Sequence, residues 1–327
     1  MNELRWDPTL REWVAYATRR QDRTFLPPAE YCPLCPTKPG GFPTEIEREH
    51  YDIVVFENKF PSFARDPGVP EEPGSTLTPT APGRGVCEVV VYSDDHDATL
   101  ASLSDRRIGN LVEVWADRYR ELGAREEVEY VFIFENKGEA IGVTLHHPHG
   151  QIYAFPFVPP RPAKELQAAK EYRVKTHGSC LHCDVLAQEH EDGRRVLVKG
   201  EHFTAFVPFY AHFPYEVHVY ARRCAPSIAD LDAGERRDLA SVLKRLLAGY
   251  DALFGFSLPY MMVMHQAPTD GDNHDGIAHF HIEFYPPNRT ADKLKYQAGS
   301  ETGAGSYIMD VLPEKSAETL RGKIETS

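Results

Sequence analysis

The feature that most constrains this chain is that its 327 residues carry one ordered series of motifs twice. Cys32-Pro33-Leu34-Cys35 opens the first series and Cys180-Leu181-His182-Cys183 opens the second. Each pair is followed by an apolar strand-like run, Ile53-Val54-Val55-Phe56 and Phe203-Thr204-Ala205-Phe206. Next come Cys87-Glu88-Val89-Val90-Val91-Tyr92 and Tyr215-Glu216-Val217-His218-Val219-Tyr220, apolar or alternating in the manner of strands. His96 and Cys224 stand at matching distances beyond the two tyrosines, and a helical period begins after Leu103 and Leu231. Ile108, Leu111, Val112, Trp115, Tyr119 and Leu122 form the stripe of the first helix. Leu239, Val242, Leu243, Leu246, Tyr250 and Leu253 form that of the second. A further strand, Tyr130 to Phe134 and then Tyr260 to Met264, leads in each copy to a His-x-His element, His147-Pro148-His149 and His279-Phe280-His281. An ordered series of this length is a duplication.

Strands, one main helix and more strands in each copy imply an α+β fold, with a largely antiparallel sheet and flanking helices per repeat. The expected division is 1–165 for the first repeat and 166–327 for the second, with the proline-rich stretch 156–162 as connector. Residues 67–85 have no counterpart in the second copy and read as a surface loop. A net charge of −13 argues against nucleic acid or an anionic membrane as the main partner. No run approaches the ~20 apolar residues of a membrane span, and the N-terminus lacks a signal-peptide core. A cytoplasmic location follows, where paired Cys-x-x-Cys motifs suggest metal before disulfide.

The chemistry concentrates in His147-Pro148-His149-Gly150-Gln151. A lone histidine says little, but here Pro148 fixes the backbone, Gly150 clears space for a ligand and Gln151 offers an uncharged donor. A neutral imidazole is a good nucleophile towards phosphorus, so His149 is the expected nucleophile and Gln151 its catalytic partner. Glutamine at this position favours transfer over hydrolysis, because it brings no proton for the leaving group. Upstream, the run from Phe134 to Thr144 supplies glycines and an amide suited to a diphosphate. In the second copy Glu283 stands where Gln151 stands in the first, and a carboxylate there repels phosphate. Only the first repeat is expected to turn over.

Phe134-Glu135-Asn136-Lys137-Gly138 followed by His147-Pro148-His149-Gly150-Gln151-Ile152 resembles the signature of the galactose-1-phosphate uridylyltransferase family, within the histidine-triad superfamily. The resemblance runs from Arg5 to about Tyr307. It implies a duplicated histidine-triad-like fold and a ping-pong exchange through a uridylyl-histidine. UDP-glucose would load His149, glucose-1-phosphate would leave, and galactose-1-phosphate would depart as UDP-galactose. It further implies that Asn136, Gly142, Thr144 and Gln151 contact phosphates, with Arg20 and Arg23 as phosphate-binding arginines. Leu34, Phe56, Asn58 and Phe60 would line the nucleoside site. Lys295 and Tyr296 would reach the site from the partner subunit of a homodimer, and Glu301 would be a further substrate-binding residue.

The same resemblance implies a structural zinc on Cys32, Cys35, His96 and His147, donor types that suit tetrahedral coordination. The repeat places a second set at Cys180, Cys183, Cys224 and His279. A competing arrangement in the family, Glu and three His, would select Glu165, His265, His279 and His281. Other functions stay open. They are an ADP-glucose:phosphate adenylyltransferase, a histidine-triad hydrolase, disfavoured by Gln151, and a nucleotide-binding zinc protein without turnover.

Overall fold

The computed structural model describes residues 2–22 and 25–326. The chain opens with β1 (Asn2–Asp7), β2 (Glu12–Ala17), β3 (Val54–Glu57), β4 (Thr80–Pro82) and β5 (Val86–Val91). Helix α1 (Asp105–Gly123), β6 (Tyr130–Lys137) and β7 (His149–Phe155) complete the first repeat. Then follow α2 (Pro160–Lys175), α3 (Leu181–Asp192), β8 (Val196–Lys199), β9 (Phe203–Phe206) and β10 (Val217–Ala221). The chain ends with α4 (Ala233–Phe254), β11 (Tyr260–His265), β12 (His281–Tyr285), α5 (Gly299–Ala304) and α6 (Pro313–Ile324). No helix among the described residues is long and apolar enough to cross a membrane.

The sequence implied one sheet per repeat; the structure fuses them. Among the described residues nine strands form one sheet in the order β3-β5-β7-β6-β11-β12-β10-β9-β8, and every pairing in it is antiparallel. The order 3-5-7-6 is mirrored as 11-12-10-9 across the β6–β11 seam, which pairs Tyr260 with Lys137 and Val263 with Phe134. Fusion satisfies the backbone groups that two separate edges would leave open.

Both main helices lie against this sheet. The stripes named above are buried on α1 and α4 and belong to one apolar cluster. Ser104 Oγ accepts the Arg107 amide at the start of α1, and Asp232 accepts those of Gly234 and Glu235 at the start of α4. Pairs Lys244–Asp105 and Arg236–Glu113 bind the helices antiparallel. Burying each large apolar side chain stabilises by about 1.5–3 kcal/mol, so this face holds the fold.

Alternation on β7 then decides where chemistry happens. Gly150, Ile152 and Ala154 are buried, the last two within the helix-side cluster, whereas His149, Gln151 and Tyr153 are half-buried on the opposite face. Two expectations need correction. The proline-rich connector ends inside α2, whose first turn accepts Pro160 because the proline nitrogen has no intrahelical partner to lose there. Within 67–85, Thr80–Pro82 is a strand pairing with β1 in a three-stranded sheet of order β2-β1-β4. Its proline and glycine neighbours hide that pairing from the sequence.

Candidate active site

His149 begins β7 with its ring already oriented. Nδ1 donates to the His147 carbonyl at 2.7 Å, which leaves the lone pair on Nε2. Burial pulls its pKa below the ordinary histidine value, outweighing that hydrogen bond, so the ring is neutral near pH 7. A neutral Nε2 with a fixed tautomer is what nucleophilic attack on phosphorus requires.

Two cavities meet at this ring. The smaller, about 160 Å³, is lined by Leu34, Phe56, Asn58, Phe60, Thr144 and Gln151 together with His149. The larger, about 500 Å³, is lined by Asn136, Lys137, Glu139 and His146 as well as His149. The structure thus brings six of the expected nucleoside- and phosphate-site residues into one pocket beside His149 and places Asn136 in its neighbour. Asn58 is held there by its side-chain oxygen, which accepts the Phe60 amide at 2.9 Å.

Other expected residues lie elsewhere. Gly142 caps the turn 139–141 in a left-handed conformation (φ 80°), and it lines neither cavity. Arg20 Nη1 donates to Ser62 Oγ at 2.9 Å and to the Tyr153 hydroxyl at 3.1 Å. Arg23 lies outside the described residues. Lys295 is buried against Glu301 at 3.1 Å and the Ile308 carbonyl at 2.7 Å, while Tyr296 is 72% exposed. Glu301 lines a third cavity, next to His281 and Glu283 of the second repeat. None of these three touches the pockets of His149 in the same chain.

Among the described residues, three groups of side chains could hold a metal. Cys32, Cys35, His96 and His147 offer ligand atoms within 4.8 Å of one another. Their chemistry fits zinc, because His147 presents Nδ1 to Cys35 at 3.5 Å while its Nε2–H donates to the Ser93 carbonyl at 2.7 Å. Burial and the neighbouring Cys32 push the Cys35 thiol up to about 12, so that sulfur would not ionise without a cation. Cys180, Cys183, Cys224 and His279 form the second group, with His279 Nε2 donating to the Ala221 carbonyl at 2.8 Å. The third is Glu165, His265 and His281. Because both ring nitrogens of His279 face the cysteine group and Ala221, the cysteine set and the Glu–His set are separate clusters rather than rivals for it.

The second repeat also shows what Glu283 does. On β10 His218 is the cross-strand partner of Glu283, where Val89 on β5 is that of Gln151. His218 Nε2 lies 3.3 Å from Glu283 and 2.8 Å from Glu216. Burial alone would raise the Glu283 pKa, but His218 and His265 hold it well below the ordinary range. The residues that sequence reasoning passed over are Tyr153, which lies beside Gln151, Ser93, whose carbonyl accepts from His147, and Tyr51, whose hydroxyl donates to the Leu34 carbonyl at 2.8 Å and lies 3.1 Å from His147 Nε2. The first could have been found from the period of two on β7; the others act by hydroxyl or backbone carbonyl and leave no motif.

Matches to known proteins agree with this geometry. Residues 2–159 match the model of the galactose-1-phosphate uridyl transferase N-terminal domain, and residues 165–326 that of its C-terminal domain. A galactose-1-phosphate uridylyltransferase of Thermotoga maritima is 43% identical over 321 residues, covering 98% of each chain. Its counterpart from Streptomyces lividans is 39% identical, covering 98% of this chain and 86% of its own length. A solved uridylyltransferase structure superposes with a TM-score of 0.87 at 35% identity, over 99% of both chains. An ADP-glucose phosphorylase from Arabidopsis thaliana, with bound ADP-glucose, gives 0.73 at 25% identity over 98% of both.

Proposed function

The chain belongs to the galactose-1-phosphate uridylyltransferase family, and from that membership we propose that His149 is the nucleophile through which it acts. It is a nucleotidyltransferase with the family's uridylyl exchange between UDP-glucose and galactose-1-phosphate. One observation carries the assignment of the site. His149 is neutral, keeps Nε2 unprotonated by donating Nδ1–H to His147, and stands where two cavities join beside Gln151.

In this reading the nucleoside occupies the smaller cavity between Phe56, Asn58 and Phe60, and Nε2 attacks the α-phosphorus. A P–N bond forms as the bond to the bridging oxygen breaks, and glucose-1-phosphate leaves. Galactose-1-phosphate then attacks the same phosphorus and restores the free imidazole. Gln151, Thr144 and Asn136 offer hydrogen bonds to the phosphoryl oxygens without supplying a proton to water. Zinc on the first cysteine–histidine group would fix His147, and with it the backbone carbonyl that orients His149. The second cysteine group would hold another. The repeats divide near residue 165, the first catalytic and the second not. A homodimer would bring the partner's Lys295, Tyr296 and Glu301 to the site, in the cytoplasm.

The test is intact-mass measurement after incubation with UDP-glucose or ADP-glucose. A uridylyl adduct lost in His149→Gly and discharged by galactose-1-phosphate supports the reading. An adduct from ADP-glucose alone moves the enzyme to adenylyl transfer, and no adduct from either removes covalent catalysis.

A further inference from the structure

Gln151 carries an amide, and an amide has two faces: an acceptor oxygen and a donor nitrogen. Only the donor face can meet a phosphoryl oxygen. Something must therefore decide which face looks at the substrate. The residues behind Gln151 supply a hydrogen-bond chain with one possible direction.

The chain begins at Arg20, a guanidinium that can only donate. Its Nη1 gives a hydrogen bond to the Tyr153 hydroxyl oxygen at 3.1 Å. Ser62 Oγ lies 3.3 Å from that oxygen and donates to it as well. With its lone pairs taken, the Tyr153 hydroxyl has one hydrogen to place, and Gln151 Oε1 lies 3.4 Å away to accept it. The amide oxygen is thereby held against Tyr153. Reversing the amide would set its N–H₂ against a hydroxyl whose lone pairs already serve two donors. Among the described residues no acceptor meets Gln151 Nε2, and the side chain lines the cavity of His149.

We propose that Arg20 and Tyr153 are positioning residues, forming a one-way hydrogen-bond relay that presents the Gln151 amide N–H₂ to the phosphoryl group at His149. Neither need touch the substrate. Arg20 then acts through Tyr153 and Gln151, not as the direct phosphate ligand that the sequence suggested. The relay rests on the assignment of His149 and Gln151 to catalysis.

The period of β7 explains why these residues are available to one another. His149, Gln151 and Tyr153 occupy successive places on one face of the strand, so nucleophile, amide and orienting hydroxyl stand in line. Ring packing holds the tyrosine: Phe134 meets it edge-on at 4.9 Å and Phe63 at 6.2 Å. Those contacts survive in Tyr153→Phe, which removes the hydroxyl alone.

The experiment is a double-mutant cycle on the full chain, reading the single-turnover rate of adduct formation at saturating UDP-glucose. Melting temperature and UDP-glucose affinity are measured alongside. Tyr153→Phe is expected to slow adduct formation roughly ten-fold, the scale of one lost hydrogen bond to a developing charge, with affinity and melting unchanged. In a Gln151→Ala background, Tyr153→Phe and Arg20→Met are each expected to add no further slowing, because the group they orient is gone. A wild-type rate in Tyr153→Phe overturns the relay. So does a Tyr153→Phe effect that multiplies with that of Gln151→Ala. Multiplication confined to Arg20→Met removes Arg20 from the relay and returns it to direct phosphate contact. If the wild-type chain forms no adduct at His149, the functional reading fails and takes the relay with it.

Discussion

A Cβ built on Gly150 would overlap the hydroxyl of Tyr92 and stand 3.1 Å from the Phe134 carbonyl oxygen. The glycine in the histidine motif is therefore required from behind as much as from the ligand side. Gly150→Ala should displace Tyr92, whose amide also donates to the Pro148 carbonyl at 3.1 Å, and so shift His149. A loss of stability of about 1–3 kcal/mol is expected, together with slower adduct formation. Tyr92→Phe in the same chain should restore part of both, because the overlapping oxygen is removed; denaturant melts and single-turnover rates check this. Behind Tyr92 lies Glu135, buried, with its oxygens 3.4 Å from the Tyr92 hydroxyl and 3.3 Å from that of Tyr260. Burial pushes its pKa up to about 7 despite Lys137, which is itself paired with Asp251. Between the ordinary glutamate value of 4.5 and about 7 the folded protein keeps a proton that the unfolded chain has released. This contribution to stability is complete below that window and is lost as pH rises through it, by up to roughly 3 kcal/mol. Glu135→Gln should flatten this part of the stability–pH curve, and an unchanged slope would refute the assignment.

Elements show where a periodic signal suffices and where it fails. The two helix stripes could be read because a period of 3.6 needs only its own residues, and each stripe is buried as read. The antiparallel character of the sheet in each repeat followed from the strand runs, but the strand order did not. The β6–β11 seam could not be read, since Tyr130–Lys137 and Tyr260–His265 carry no mark of being central rather than terminal strands. Helix α6 was likewise unreadable as a partner of α4. Its docking depends on Gly249, where a Cβ would overlap Ile324 Cγ1. Replacing a mid-helix glycine with alanine ordinarily stabilises by about 1 kcal/mol. Here Gly249→Ala is expected to destabilise by about 1–3 kcal/mol, because the overpacked contact has to separate two helices. Adding Ile324→Val should recover part of the loss, and chemical denaturation of the three chains measures both steps.

At the scale of the whole molecule, duplication was legible because each motif had a copy at a matching place, and it marked out the His-x-His element of His149 and both cysteine sets. What it could not separate was the use of His279 and His281, two residues apart on one strand approach. In the folded chain His279 turns Nδ1 to Cys180 at 3.6 Å and Cys183 at 3.7 Å. His281 instead joins Glu165 and His265, whose Oε2 and Nδ1 atoms are 2.7 Å apart. Occupation of one cluster therefore does not compete with occupation of the other. The expected zinc content of the purified chain is about two, one for each four-donor cysteine–histidine group. Cys180→Ser should lower it by about one and leave adduct formation at His149 largely intact, since that group lies in the second repeat. Cys35→Ser should also remove about one zinc, but with loss of adduct formation, because His147 would no longer be pinned where its carbonyl accepts the His149 proton. Elemental analysis paired with intact mass distinguishes the two. A content of about one that ignores Cys180→Ser would eliminate the second cysteine site, and an active Cys35→Ser chain would separate the first metal from the orientation of the nucleophile.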